Sequence, residues 1–480
     1  MKNKKQAIIL SVIASIALLV LIVGATYAYF QASGGTGTNA DVRVTTYTTD
    51  VFNFEVGSDI SIYADATSFA SGKGNAVGST FAKAILTANN KTNTATEHYY
   101  LYLNISNNTF IYTQNESTPE LLLTITDANG NAVSDITSLA YKTVTDGKGA
   151  SISGYDITNK SGVITLFDNR EITASPAKTE QWNITVTLVN YDKDQSNNMG
   201  KSFSAKLMIQ KEEYKQALAE YVKSQYTGTQ GENSLYYHNS SLTNGAGDNS
   251  YRYAGASASV NNYICLGSDE STCPDANLFR IIGVFGDQAK VIRAKSTGNK
   301  EWDTNRSNTW STSSLNTYLN GTYLTSLGTL AEKIAITTWK VGGGTYENIL
   351  TSVPKTAYQY EVGSSSSSTT VDKKIGLMYV SDYYYSASPS AWTLVGYDSD
   401  ATKDYRAAKT INWLYLGSNE WTISRLSDGT GYAFNAGSTG RVSNSTVAGS
   451  YAVRPSFNLL SSVKYVSGSG SMSDPVRVTD

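Results

Sequence analysis

Apolar and polar side chains alternate along much of the first half of this chain, and a period of two is the mark of a strand lying with one face on a core. In "QWNITVTLVN" the side chains of Trp182, Ile184, Val186 and Leu188 fall on one face and Asn183, Thr185 and Thr187 on the other. In "EHYYLYLNIS" the same count puts Tyr99, Leu101, Leu103 and Ile105 together, with His98 opposite beside Tyr100 and Tyr102, as a surface strand residue. "ELLLTITDANGN", "GVITLFDN" and "SFSAKLMIQ" repeat the texture with no helical period between them. Residues 31–210 are therefore expected to form an antiparallel β-sandwich. "DANGN" places Asp and Asn at alternate positions as a calcium loop does, but Gly130 is fourth in the run and not sixth, and no downstream Glu completes the set. An Asn-Gly hairpin turn accounts for it better.

Three lysines, Lys2, Lys4 and Lys5, precede the apolar run Ala7 to Val23, whose polar side chains are Ser11 and Ser15 alone. Lysines stay on the cytoplasmic side of a translocating segment, so the chain beyond Val23 is expected to be exported. Two outcomes are open. Small residues at Thr26 and Ala28 suit a signal peptidase cutting between Ala28 and Tyr29, which is the favoured reading. The other is an uncleaved signal anchor, since residues 7–29 are long enough to cross about 30 Å of hydrocarbon as one hydrophobic helix. The segment "GATYAYF" at the end of this run resembles the signal region of camelysin and biofilm-matrix fibre proteins of Gram-positive bacteria. That resemblance implies export and trimming, and beyond residue 30 it extends only to strand-rich texture.

Composition narrows the function. Lys and Arg total 38 against 40 Asp and Glu, a net charge of −2, which leaves no electrostatic basis for nucleic-acid binding. The two cysteines, Cys265 and Cys273, bracket a polar turn-rich loop, "CLGSDESTC", and are read as a local disulfide in preference to free thiols. Zinc is poorly supported, because only His98 and His238 could complete a site, and no metal or cofactor is expected.

The pattern changes at "KEEYKQALAEYVKSQYTG", where Tyr214, Ala217, Leu218, Tyr221 and Val222 recur at helical spacing. Residues 211–228 are read as one amphipathic helix linking the sandwich to a second, α+β domain at residues 229–480. That domain opens with a Tyr-rich stretch and reaches a strand pair, "NLFRIIGVFGDQAKVIRAK", turning at Gly286-Asp287. "STSSLNTYLNG" predicts a short helix capped by Ser311 to Ser313, with Leu315, Tyr318 and Leu319 on one face and Gly321 as a left-handed stop. "KIAITTW" is followed by a Ser-rich loop and then by "KIGLMYV", which is read as a strand.

The closing segments "NWLYLGSNEWTISR", "YAFNAGSTGRVSN" and "YAVRPSFNL" are similar to the end of C-type-lectin-like bacterial domains, relatives of the Fibrobacter-type major paralogous domain and an uncharacterised group of surface proteins. The resemblance covers most of residues 236–480 and implies a C-type-lectin-like fold without naming an activity. No HExxH, GxxxxGK[ST] or GxSxG is present, and the cysteines precede the central strand pair, unlike the late cysteines of formylglycine-generating enzymes.

The expectation is thus a mostly β, exported or cell-surface binding and adhesion protein whose C-terminal domain takes an extracellular glycan or protein ligand. The alternative is a biofilm-matrix or fibre subunit, and a secreted hydrolase using paired carboxylates is a third reading. Tyr383, Tyr384 and Tyr385 are assigned to the ligand surface, because three consecutive tyrosines cannot all face one core and at least one is expected to be exposed. Arg441 joins them at the tip of a hairpin in which Ala436 would pair with Arg441 and Phe434 with Ser443. Trp413 and Trp421 are read as core, and Arg425 and Arg454 as partners of buried carboxylates.

Overall fold

The computed structural model describes residues 50–479, apart from Lys91, Ser134, Asp135, Thr137, Ser367 and Ser368, together with the short strand Ala32–Ser33. The hydrophobic run 7–29 and the cleavage point at Ala28 and Tyr29 lie outside the described residues. The chain is mostly β, with several antiparallel sheets, and divides into two compact units, Met1–Tyr214 and Lys215–Asp480.

The first unit holds two antiparallel sheets. One runs in the order Ala32–Ser33, Ser202–Gln210, Ala95–Asn108, Gly162–Ala174, with Ile60–Tyr63 also paired to Ser202–Gln210. The other runs Val51–Val56, Ala76–Thr87, Ala177–Leu188, Leu121–Asp127, Ser151–Asp156, Tyr141–Thr145. Trp182, Ile184, Val186 and Leu188 from the second sheet and Tyr99, Leu101, Leu103 and Ile105 from the first share one hydrophobic core, so the alternation read from the sequence is the alternation that packs. The buried hydroxyl of Tyr99 is satisfied at both ends: it donates to Glu180 Oε2 (2.7 Å) and accepts from Trp182 Nε1 (2.7 Å). His98 is exposed on the far face. "DANGN" is a turn, with Gly130 at φ +83° and the Asp127 carboxylate accepting from the backbone N–H groups of Asn129 and Asn131.

The second unit is built on a seven-stranded antiparallel sheet. Its order is Leu235–Tyr237, Tyr251–Tyr253, Leu278–Phe285, Gln288–Arg293, Ser456–Asn458, Ile375–Gly376, with Tyr263–Cys265 also paired to Leu278–Phe285. A five-stranded sheet runs Asn299–Glu301, Ser450–Ala452, Glu420–Arg425, Tyr432–Ala436, Val442–Thr446. The hairpin of Leu278–Phe285 and Gln288–Arg293 turns at Gly286, whose φ of +65° suits the first central position of a two-residue turn.

Four local expectations need correction. The helix expected over 211–228 is confined to Leu218–Ser224, because residues just before it are held extended by backbone pairing to the end of the chain: Leu218 N donates to Val463 O (2.9 Å) and Tyr465 N to Gln216 O (2.8 Å). Gly321 does not stop its helix. Ser313 caps the start, as its hydroxyl accepts from Asn316 N, but the helical path continues through a π turn at Leu319–Tyr323 to Ser326, and Gly328 is the residue at positive φ. The strand expected in "KIGLMYV" spans only Ile375–Gly376 before the helix Val380–Tyr385 begins. The late hairpin is shifted by one residue, pairing Ala436 with Val442 and Phe434 with Asn444, since Gly437 N donates to Arg441 O and closes a five-residue loop.

Candidate functional site

Four paired positions cross the seven-stranded sheet in a single row: Arg252 opposite Gly283, Gly283 opposite Lys290, Lys290 opposite Asn458. Directly paired residues share a face, so two cations and an amide stand side by side with a gap between the cations. The gap must be glycine, because a Cβ at Gly283 would lie 2.2 Å from the Tyr251 carbonyl oxygen. Against this row packs the start of the helix Val380–Tyr385, which brings in Asp382.

Asp382 Oδ2 accepts from Lys290 Nζ (2.5 Å) and from Tyr379 N (2.8 Å), so the same carboxylate caps its own helix and holds the lysine. Its Oδ1 lies 3.6 Å from Arg252 Nη1, beyond a hydrogen bond. Arg252 is fixed from its other side, with Nη2 donating to Asp248 Oδ2 (2.6 Å) and Nε to Ser250 Oγ (2.8 Å). Arg252, Lys290 and Asp382 are 2%, 5% and 2% exposed, and burying three charges without an ordered network would be strongly unfavourable.

Aromatic rings surround both cations. Lys290 Nζ stands 4.5 Å from the ring centre of Tyr379, 5.4 Å from Trp339 and 5.6 Å from Phe285. The Arg252 guanidinium lies 4.6 Å from Phe285, 5.2 Å from Tyr385 and 5.4 Å from Tyr358. All of these but Tyr385 line a cleft of about 230 Å³ with Thr337, Thr338 and Lys340 at its rim.

The electrostatics follow from burial. Burial pulls the Lys290 ammonium below its ordinary value, against the pull of Asp382. Burial pushes Asp248 up, but the charge of Arg252 together with hydrogen bonds from Ser250 and Arg252 outweighs it and holds the carboxyl well below the usual range. Behind the cleft, burial raises Glu361, which accepts from Val380 N and Ser381 N (both 2.8 Å) and from the Ser424 hydroxyl. Burial raises Tyr358 and Tyr379, keeping both phenols protonated. His238, which packs on the rings of Tyr385 and Trp392, is held neutral first by burial and then by Arg252.

The residues assigned from sequence lie elsewhere. Tyr383, Tyr384 and Tyr385 are 0%, 0% and 1% exposed, so the expectation of a tyrosine on the ligand surface is overturned. They sit on a helix that is enclosed on every side: Tyr383 and Tyr384 belong to the main core, while Tyr385 packs with Ala246, Ala254 and Trp392. Each hydroxyl donates to a backbone carbonyl, those of Gly440 (2.7 Å), Ile349 (2.7 Å) and Asn244 (3.2 Å) respectively. Arg441 is half-buried in the hairpin loop with its guanidinium 5.0 Å over the Tyr397 ring, and it does not line the cleft. Cys265 and Cys273 form a disulfide (2.02 Å). Trp413 and Trp421 are core, and Arg454 is paired with buried Glu420, whereas Arg425, among the described residues, donates to the Val341 carbonyl alone (3.4 Å).

Reading the sequence missed Arg252, Lys290, Asp248 and Asp382. The available signal was a cation flanked on both sides by apolar or aromatic residues, in "YRYA" and in "AKVI", since an unpaired charge is rarely buried without a dedicated partner. Comparison with known protein families, characterised proteins and solved structures finds no match to this chain.

Proposed function

We propose that this is an exported surface protein whose first unit serves as a stalk and whose second, a C-type-lectin-like domain, binds an extracellular ligand in the cleft above Arg252, Lys290 and Asp382. The observation that carries the reading is the buried ion network itself: a costly set of charges held beneath half-buried rings and facing a cleft, which is how polar anchoring groups are presented to a small ligand. The disulfide supports export, because such bonds persist in oxidising compartments. The test uses the full mature chain. Thr338 is exposed at the rim, so Thr338→Trp narrows the entrance without entering the core. Screened against glycan and surface-protein arrays, the native protein is expected to give saturable binding that Thr338→Trp removes at unchanged melting temperature. Binding that survives the substitution places the site elsewhere.

A further inference from the structure

We propose that the cleft takes a neutral saccharide ring, held by two adjacent hydroxyls on Lys290, Arg252 and Asp382. This rests on the cleft being the binding site and goes further by assigning the ligand's chemistry.

Several polar atoms in the cleft have unmet hydrogen-bonding capacity. Lys290 Nζ carries three hydrogens and among the described residues makes one hydrogen bond, to Asp382. Arg252 Nη1 makes none among the described residues, with Asp382 Oδ1 standing off at 3.6 Å. On the acceptor side that same Oδ1 makes no hydrogen bond among the described residues, and neither does Asn458 Oδ1. Donors and acceptors thus stand unpaired within one small cleft. A hydroxyl donates and accepts at once, so one placed between Arg252 Nη1 and Asp382 Oδ1 satisfies both, and a neighbouring hydroxyl reaches the free hydrogens of Lys290.

Opposite charges nearly balance in the cleft. Arg252, Lys290 and Lys340 line it against Asp248 and Asp382, and Lys340 Nζ already donates to the Val362 carbonyl (2.6 Å). Each buried cation already faces a carboxylate, so an entering cation or anion has to compete with those pairs. A neutral polyhydroxylated ring brings no charge to compensate. Its C–H face suits the half-buried rings of Tyr379, Tyr358 and Phe285. The volume of about 230 Å³ falls below the range of drug-sized pockets, roughly 300–1,000 Å³, which suits a single ring with the rest of a glycan leaving past Thr337 and Thr338.

The experiment is calorimetric titration of the full mature protein with glucose, galactose, mannose, N-acetylglucosamine and N-acetylgalactosamine, and with glucuronic and galacturonic acids. At least one neutral sugar is expected to bind in the millimolar range, to lose binding in Thr338→Trp, and to bind at least tenfold more weakly when its paired hydroxyls are removed by deoxy substitution. Asp382→Asn, which keeps an acceptor for Tyr379 N, is expected to weaken the neutral sugar and to strengthen the uronic acids, since the cations then lack their counter-charge. Native protein that binds only uronic acids, or binds no sugar at all, overturns the inference. Capture of a protein ligand that Thr338→Trp abolishes, without sugar binding, overturns it as well while leaving the cleft as the site. Sugar binding unaffected by Thr338→Trp overturns the cleft reading itself.

Discussion

Arg454 grips Glu420 through two parallel hydrogen bonds, Nε to Oε1 at 2.7 Å and Nη2 to Oε2 at 2.8 Å, in a pair that is 3% and 0% exposed. Burial pushes the Glu420 carboxyl up and Arg454 counters it. The guanidinium also donates to the Leu414 carbonyl (2.6 Å), so the pair ties the strand Glu420–Arg425 to the loop before it. Removing one partner leaves the other charged and buried. Arg454→Ala is expected to cost about 3–5 kcal/mol, read as a fall in the denaturation midpoint of the second unit. Arg454→Lys recovers only part of this, because an ammonium cannot reproduce the fork. A loss below about 1 kcal/mol for Arg454→Ala would show that the pair is not structural.

Tyr384 is predicted to act on stability and not on binding. Tyr384→Phe strands the Ile349 carbonyl and is expected to cost about 1–3 kcal/mol with ligand affinity of the folded protein unchanged. A Cβ at Gly396 would lie 2.0 Å from the Tyr384 hydroxyl oxygen, so Gly396→Ala is destabilising on its own. The two substitutions are expected to couple: Gly396→Ala should cost less in the Tyr384→Phe protein, and strict additivity in a double-mutant cycle would contradict the contact.

His238 makes the second unit acid-sensitive. Its Nδ1 accepts from Ala246 N (3.1 Å), its Nε2 has no partner among the described residues, and burial followed by Arg252 keeps it neutral well below its ordinary value. The unfolded chain takes up a proton near pH 6.5 and the folded one does not, so the unfolded state binds more protons as pH falls below that point. Stability is therefore expected to decline with falling pH from about 6.5 downward. Urea denaturation at a series of pH values should show this slope in the native protein and a flatter one in His238→Gln; identical slopes would assign the acid sensitivity to another group.

Cys265→Ser is predicted to loosen one loop and leave the unit folded. Closing a loop of 8 residues contributes roughly 2.5 kcal/mol in the chain-entropy account. Arg477 donates to the carbonyls of Ser268 (2.9 Å), Glu270 (2.7 Å) and Ser271 (3.2 Å), so the loop retains an anchor without the bond. The measured loss should accordingly fall at or below that figure, with hydrogen exchange quickening over residues 266–272 and not in the strand Leu278–Phe285.

What could be read from the chain alone was what depends on near neighbours. Trp182, Ile184, Val186 and Leu188 face one core because side chains alternate along any strand, and Gly286 turns its hairpin because its φ is positive. Cys265 and Cys273 are close enough in sequence that little else could separate them. Tertiary structure decided the rest. The linker helix is short because the end of the chain pairs with residues 216–218, and three tyrosines are buried because their helix is enclosed on all sides, neither of which any local period encodes. Arg252, Gly283, Lys290 and Asn458 stand in one row only through strand pairing across the sheet and an irregularity between Ile281 and Gly283. Register is a property of two strands and not of one, so a one-residue slip, like that between the expected and observed pairing of Ala436, would point every such side chain to the other face.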